Sequence, residues 1–200
     1  FNNLLEQIKS QRVKSVVGIL QAAKSKSISK WKQMDSKITD AANESRDNVK
    51  YLYTLDKFFS SMTKATPAAI TESIPSLMNA VRMIHSISQY YNSSERMTSL
   101  FLKITNQMIN TCKKYIKEGY AKLWDIPRNE LLERINESKK LYQEYQKGFQ
   151  RTREKLKTME NERQWDFSEN YIFGKFEAFC KRLDKIADVI TTIESLAALN

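Results

Sequence analysis

The stretch IFGKFEAFCKRLDKIADVITTIESLA, residues 172–197, decides the fold. Its apolar residues Ile172, Phe176, Phe179, Leu183, Ile186, Ile190, Ile193 and Ala197 recur in alternating steps of four and three. That spacing keeps one stripe on one side of an α-helix, as in a helix packed along a partner. Ser168 stands where a helix cap belongs. Upstream, Leu131, Ile135, Tyr142, Tyr145, Phe149, Leu156 and Met159 hold the same steps, with Ser138 and Thr152 as polar interruptions. Asn161 to Phe167 is a short connection, so the two seams are expected to fold back antiparallel.

Composition agrees with this reading. Among 200 residues there are 4 Gly and 3 Pro, far below the usual ~7% and ~5%. The turn punctuation of a many-stranded protein is missing, which argues against sandwiches, barrels and Gly-rich phosphate folds. A 41% hydrophobic content is too high for a disordered tail. No apolar run approaches the ~18 residues a membrane-spanning helix needs. The class is all-α, with consecutive long amphipathic helices in elongated bundles. The chain opens Phe1-Asn2-Asn3 without a signal segment or initiator Met, and reads as a piece of something longer.

Working back from the seams, no Gly or Pro falls between Gly18 and Pro67. One long helix, or two nearly collinear ones, is expected to reach about Phe59. Its stripe is Ile28, Trp31, Met34, Ile38, Ala42, Ser45, Val49, Leu52 and Phe59. Pro75 suits the first turn of the next helix, with Leu77, Val81, Ile84, Ile87 and Ser88 on one face. Ser94 with Glu95 is an N-cap for a helix through about Lys117, burying Met97, Phe101, Ile104, Met108, Cys112 and Ile116. Gly119 to Pro127 interrupts the second half. We therefore divide the chain into a first bundle portion, 1–118, and an antiparallel long-helix pair, 119–200.

The formal net charge is +10. Residues 1–40 hold eight basic side chains against Glu6, Asp35 and Asp40, a surplus of five. Such a face can meet an acidic partner, nucleic acid or an anionic membrane, or can simply be solvated. Lys24, Lys26, Lys30 and Lys32 are its candidate contact residues. Of the three Trp, Trp31 lies on the apolar stripe and reads as core. Trp165 reads as the cover of a helix turn whose N–H finds a carbonyl. Trp124, beside Asp125-Ile126-Pro127, either plugs a bundle end or anchors a partner.

Chemistry finds little purchase. His85 is the one histidine, with no Cys or carboxylate at ligand spacing on its helix. Gly174-Lys175 lacks the other glycines of a phosphate cradle. Cys112 and Cys180 lie on apolar faces and read as buried free thiols in a reducing compartment, with a disulfide as the minority alternative. No catalytic, cofactor or metal residue is assigned.

Longer blocks carry a resemblance. They are Asn48-Val49-Lys50-Tyr51-Leu52 with Leu55, then the run from Ile74-Pro75-Ser76-Leu77 through His85. Tyr90-Tyr91-Asn92, Glu95-Arg96-Met97, Lys103 to Gln107, Cys112-Lys113 and Tyr115-Ile116 continue them. Asp166-Phe167-Ser168-Glu169, Phe173-Gly174-Lys175-Phe176 and Arg182-Leu183 close the series. Together they resemble the tail of a dynein heavy chain, in particular of the axonemal outer-arm type, more weakly before Ala42.

The resemblance implies a non-catalytic stem segment of a microtubule motor in the cytoplasm and ciliary axoneme. Its implied partners are other heavy chains, WD-repeat intermediate chains, light chains and docking factors on doublet microtubules, without nucleic acid or membrane. ATP and Mg would belong to the motor ring of the parent chain, and none to this segment. A basic helical adaptor for a membrane surface or nucleic acid is the competing reading. A helical-bundle metal enzyme would need Glu-x-x-His pairs that one histidine cannot supply.

Overall fold

The computed structural model describes residues 1–197, and among them are seven α-helices, one 3-10 turn and no strand. They are α1 (Asn2–Ile8), α2 (Gln11–Ala22), α3 (Ser27–Met62), α4 (Pro67–Ile87), α5 (Ser94–Lys117), α6 (Arg128–Lys157) and α7 (Glu169–Ala197), with the turn at Leu123–Asp125. The all-α class stands. The seam position at Ala197 falls, with residues 198–200, outside the described side chains.

The chain forms two compact units, Phe1–Leu52 with Ser88–Tyr90, and Tyr53–Ile87 with Tyr91–Asn200. A division at residue 118 would separate α4 and α5 from α6 and α7. The second unit instead holds these four together, because their apolar faces cover one another.

In that unit, Arg153 pairs with Glu169 at 2.6 Å, Lys139 with Asp184, and Arg128 with Glu194. Partners that descend on α7 as they climb on α6 make the two helices antiparallel. Phe101 meets Phe149 edge-on at 5.2 Å, and Tyr115 donates to Glu137 at 2.5 Å, so α5 and α6 also run antiparallel. The Thr105 hydroxyl donates to the Ile172 carbonyl at 3.0 Å and lies 3.2 Å from the Tyr145 hydroxyl, tying α5, α6 and α7 at one buried point. Between α4 and α6 the approach is close. A methyl group on Gly148 would lie 2.7 Å from Ile74 Cγ2 and 3.4 Å from Met78 Cγ.

The segment between α6 and α7 seals one end of the bundle. Trp165 is 1% exposed and packs on Phe101 at 5.3 Å and Phe149 at 5.1 Å. Polar ties hold the segment there: Arg82 to Glu162 at 3.1 Å, Arg163 to the His85 carbonyl at 2.7 Å, and Ser94 to the Asp166 carbonyl at 3.3 Å. The indole N–H, expected to find a carbonyl, is buried without a partner. Leaving it so costs about 1–3 kcal/mol. Burying ~200 Å² of indole contributes about 5 kcal/mol, so packing wins. His85 is core as well: its ring meets Phe167 edge-on at 5.3 Å, and burial, then Arg163, lowers its pKa to about 4. Cys112 and Cys180 are free and buried, and burial pushes both thiols up to about 12.

Several expected boundaries shift. Of the two forms expected for the first helical stretch, the two-helix form is present, α2 and α3 being separated at residues 23–26. Its stripe holds at Ala42, which is buried as expected, but rotates elsewhere: Met34, Val49 and Leu52 are exposed, while Tyr51, Leu55 and Met62 are buried. A repeat near 3.5 drifts by roughly 20° per heptad on a straight helix, and this one has 36 residues. α4 begins at Pro67, where the Thr66 hydroxyl accepts from the Ala69 N–H at 3.3 Å, and Pro75 lies inside it. Ile87 is exposed, and Ser88 is buried just beyond the helix. Ser93, one residue before the expected cap, accepts from the Arg96 N–H at 3.4 Å. The expected α5 face is buried throughout.

Gly148→Ala tests the α4–α6 contact. The added methyl collides with Ile74 on an opposing helix, so destabilisation of about 1–3 kcal/mol is expected despite the better helix propensity of Ala. A urea midpoint that rises would contradict it.

Candidate partner-docking surfaces

Four of the singled-out residues surround the junction of α2 and α3. Lys24 sits in the left-handed region with φ of 49°. The Ser25 N–H reaches the Leu20 carbonyl at 3.0 Å, and the Lys24 N–H reaches that of Gln21 at 3.0 Å. This is a Schellman ending, in which glycine normally takes the left-handed place. Holding a side chain there costs about 1–2 kcal/mol. Ser25 then opens α3, its hydroxyl accepting from the Ser27 N–H at 3.3 Å and its carbonyl from the Ile28 N–H at 3.2 Å.

Lys24, Lys26, Lys30 and Lys32 are all exposed, and among the described residues none forms an ion pair. α3 has no acidic residue in its first turn. Lys26 and Lys30, at the start of α3, oppose its macrodipole by about 0.3–1 kcal/mol each, whereas Lys24, just past the end of α2, is favoured by the dipole of that helix. A strained lysine, uncompensated charge and solvent exposure therefore coincide at one junction. Local rules broken together mark places where something besides stability shapes the sequence.

The fifth residue, Trp124, belongs to the other unit. It is 79% exposed, so it does not plug the bundle. Its loop leaves α5 through Gly119, with φ of 83°, and is pinned by buried Ile126. Arg134 forms the loop's base. Its guanidinium donates to the carbonyls of Tyr115 at 2.9 Å and Glu118 at 2.8 Å, and to Glu130 at 2.5 Å. It also lies over the rings of Tyr115 and Tyr120, at 5.5 and 5.6 Å. The last α5 carbonyls are thus satisfied from a neighbouring helix. Burial and the Glu137 hydrogen bond raise the Tyr115 pKa to about 12. The firm base holds an indole outward, with Lys122 over its ring at 5.7 Å.

Only the Glu130 pairing of Arg134, four residues apart on one helix, could be read from sequence; its carbonyl partners on α5 could not. Trp31, read as core, is only half-buried and lines a groove. Among the described residues no three His, Cys, Asp or Glu converge as for a metal, and no helix is long and apolar enough to cross a membrane.

Long α-helices packed antiparallel, with no strand among the described residues, define the class of all-α helical-bundle proteins. The chain is a member of the dynein heavy chain family: the model of its N-terminal region 1 matches residues 1–200. It is 51% identical over 200 residues to dynein axonemal heavy chain 5 of Rattus norvegicus, covering 100% of this chain and 6% of that protein. To dynein axonemal heavy chain 8 of Homo sapiens it is 46% identical over 201 residues, covering 100% and 4%. To the dynein gamma chain of the flagellar outer arm of Chlamydomonas reinhardtii it is 41% identical over 199 residues, again 100% and 4%. The chain therefore spans only 4 to 6% of these relatives.

Lys24→Gly should stabilise the chain by about 1 kcal/mol, since glycine takes the left-handed place without strain. Urea unfolding of the two proteins checks this, and an unchanged or lowered midpoint contradicts it.

Proposed function

We propose that this chain is a non-catalytic tail segment of a ciliary outer-arm dynein heavy chain. It serves heavy-chain association, binding of intermediate and light chains, and docking of the arm on the axonemal doublet. Antiparallel helices packed along seams resist bending, so force made elsewhere in the motor can reach the anchor. ATP and Mg act in the motor ring of the parent chain, outside this segment. The cilium axoneme is its place of work.

The observation that carries this reading is the match along the whole chain to the heavy-chain N-terminal region, with relatives named axonemal and outer-arm. The exposed lysines and Trp124 add a physical means of contact. The subunits assigned here (heavy chains, WD-repeat intermediate chains, light chains and docking factors) are those the resemblance to dynein heavy chain tails implies.

Reversing Lys24, Lys26, Lys30 and Lys32 to Glu within the heavy-chain stem should weaken co-purification of other dynein subunits from ciliary extract. Helicity should be unchanged, because all four side chains are exposed. Full recovery of the subunits would refute a docking role for this face. Recovery of nucleic acid or lipid without any dynein subunit would favour a basic adaptor instead.

A further inference from the structure

Gly18 lies inside α2, where glycine costs about 1 kcal/mol relative to alanine. Nothing among the described residues asks for it. Gly119 is the glycine with a positive φ, and Gly148 is the one whose missing methyl lets two helices meet. A Cβ on Gly18 would have nothing within 4 Å. Gly174 has similar room but lies outside the groove that Gly18 lines.

That groove, about 250 Å³, is formed by α1, the segment after it, α2 and α3. Ile8, Val13, Val17 and Trp31 supply apolar lining, each half-buried. Lys9 and Lys14, both exposed, outnumber the lining's one carboxylate, Asp35. The surrounding residues 1–40 carry the surplus of five positive charges. Among residues 1–52 the buried side chains are only Leu5, Ala42 and Tyr51. The apolar stripe here is incompletely covered.

We propose that this groove seats an acidic amphipathic helix of a partner polypeptide, apolar face on Trp31 and closest at Gly18, with carboxylates toward Lys9 and Lys14. The assignment rests on the docking reading above and adds the partner's chemistry. A helix fits because the groove runs among helices, and a missing side chain lets two helix backbones approach. Charge complementarity selects the acidic partner.

The test uses the 200-residue chain carrying Trp124→Phe, so that Trp31 reports over the constant signal of buried Trp165. The probe is a synthetic amphipathic helix with Leu on one face and Glu on the other. Its counterpart carries Lys in place of Glu. The Glu helix should shift Trp31 emission to the blue and saturate, binding at least about tenfold tighter than the Lys helix. Gly18→Leu should fill the groove and weaken binding by about tenfold or more, with helicity retained because no neighbour is displaced. Lys9→Glu with Lys14→Glu should transfer the preference to the Lys helix.

An unmoved Trp31 emission would overturn the assignment, as would equal binding of both peptides or indifference to Gly18→Leu. An equal shift on anionic vesicles, duplex nucleic acid or self-association would overturn it too. If the four-lysine reversal weakens co-assembly while the Glu helix leaves Trp31 unmoved, the docking reading stands and the groove assignment falls.

Discussion

An amphipathic helix needs something to cover its apolar face, and the two units of this chain meet that need to different degrees. In the second unit the cover comes from within. Gly148 lets α6 settle against Ile74 and Met78 of α4, and Phe101, Phe149 and Trp165 close the end of the bundle. Thr105 and Tyr145 place a hydrogen-bonded point among the apolar side chains. A buried polar pair of that kind fixes register, because slipping by one turn would leave both hydroxyls unpaired.

The first unit is held differently. Beside a few buried side chains it relies on polar ties, such as Asp47 accepting from Ser88 at 2.9 Å and the Gln89 N–H at 2.8 Å, and Arg46 donating to Asn2 at 3.1 Å. Hydrogen bonds of this type contribute about 0.5–1.5 kcal/mol each. Val16, Ile19 and Met34 stay exposed, and Trp31 is half-covered. Strain at Lys24, an open position at Gly18 and unpaired lysines lie in this same unit. The strained lysine and the helical glycine each cost stability locally.

Much of this was legible in the sequence. The four-three spacing after Ser168 and Leu131 is a direct consequence of helix geometry, so both seams and their reversal could be read. α7 still loses cover toward its end, with Val189 and Ile193 exposed, because spacing reports a face and not what faces it. The break at Lys24 was hidden, since lysine stands where glycine would signal a helix end. Pro67 carried the α4 start, and Pro75 drew attention away from it. The loop-holding role of Arg134 escaped because, beyond its pair with Glu130, its partners are backbone carbonyls, which leave no mark in sequence. The lysines and Trp124 could be picked out by charge and position, but the α1–α3 groove needed three segments in space.

Amide hydrogen exchange of the 200-residue chain, read helix by helix, tests the division of labour most directly. Self-covered helices should open only with global unfolding, whereas sparsely buried ones open locally. The account predicts slowest exchange in α5 and the middle of α6, and exchange orders of magnitude faster in α1, α2 and the first turns of α3. Uniform protection across both units would contradict it, because the first unit would then need no partner to complete its core.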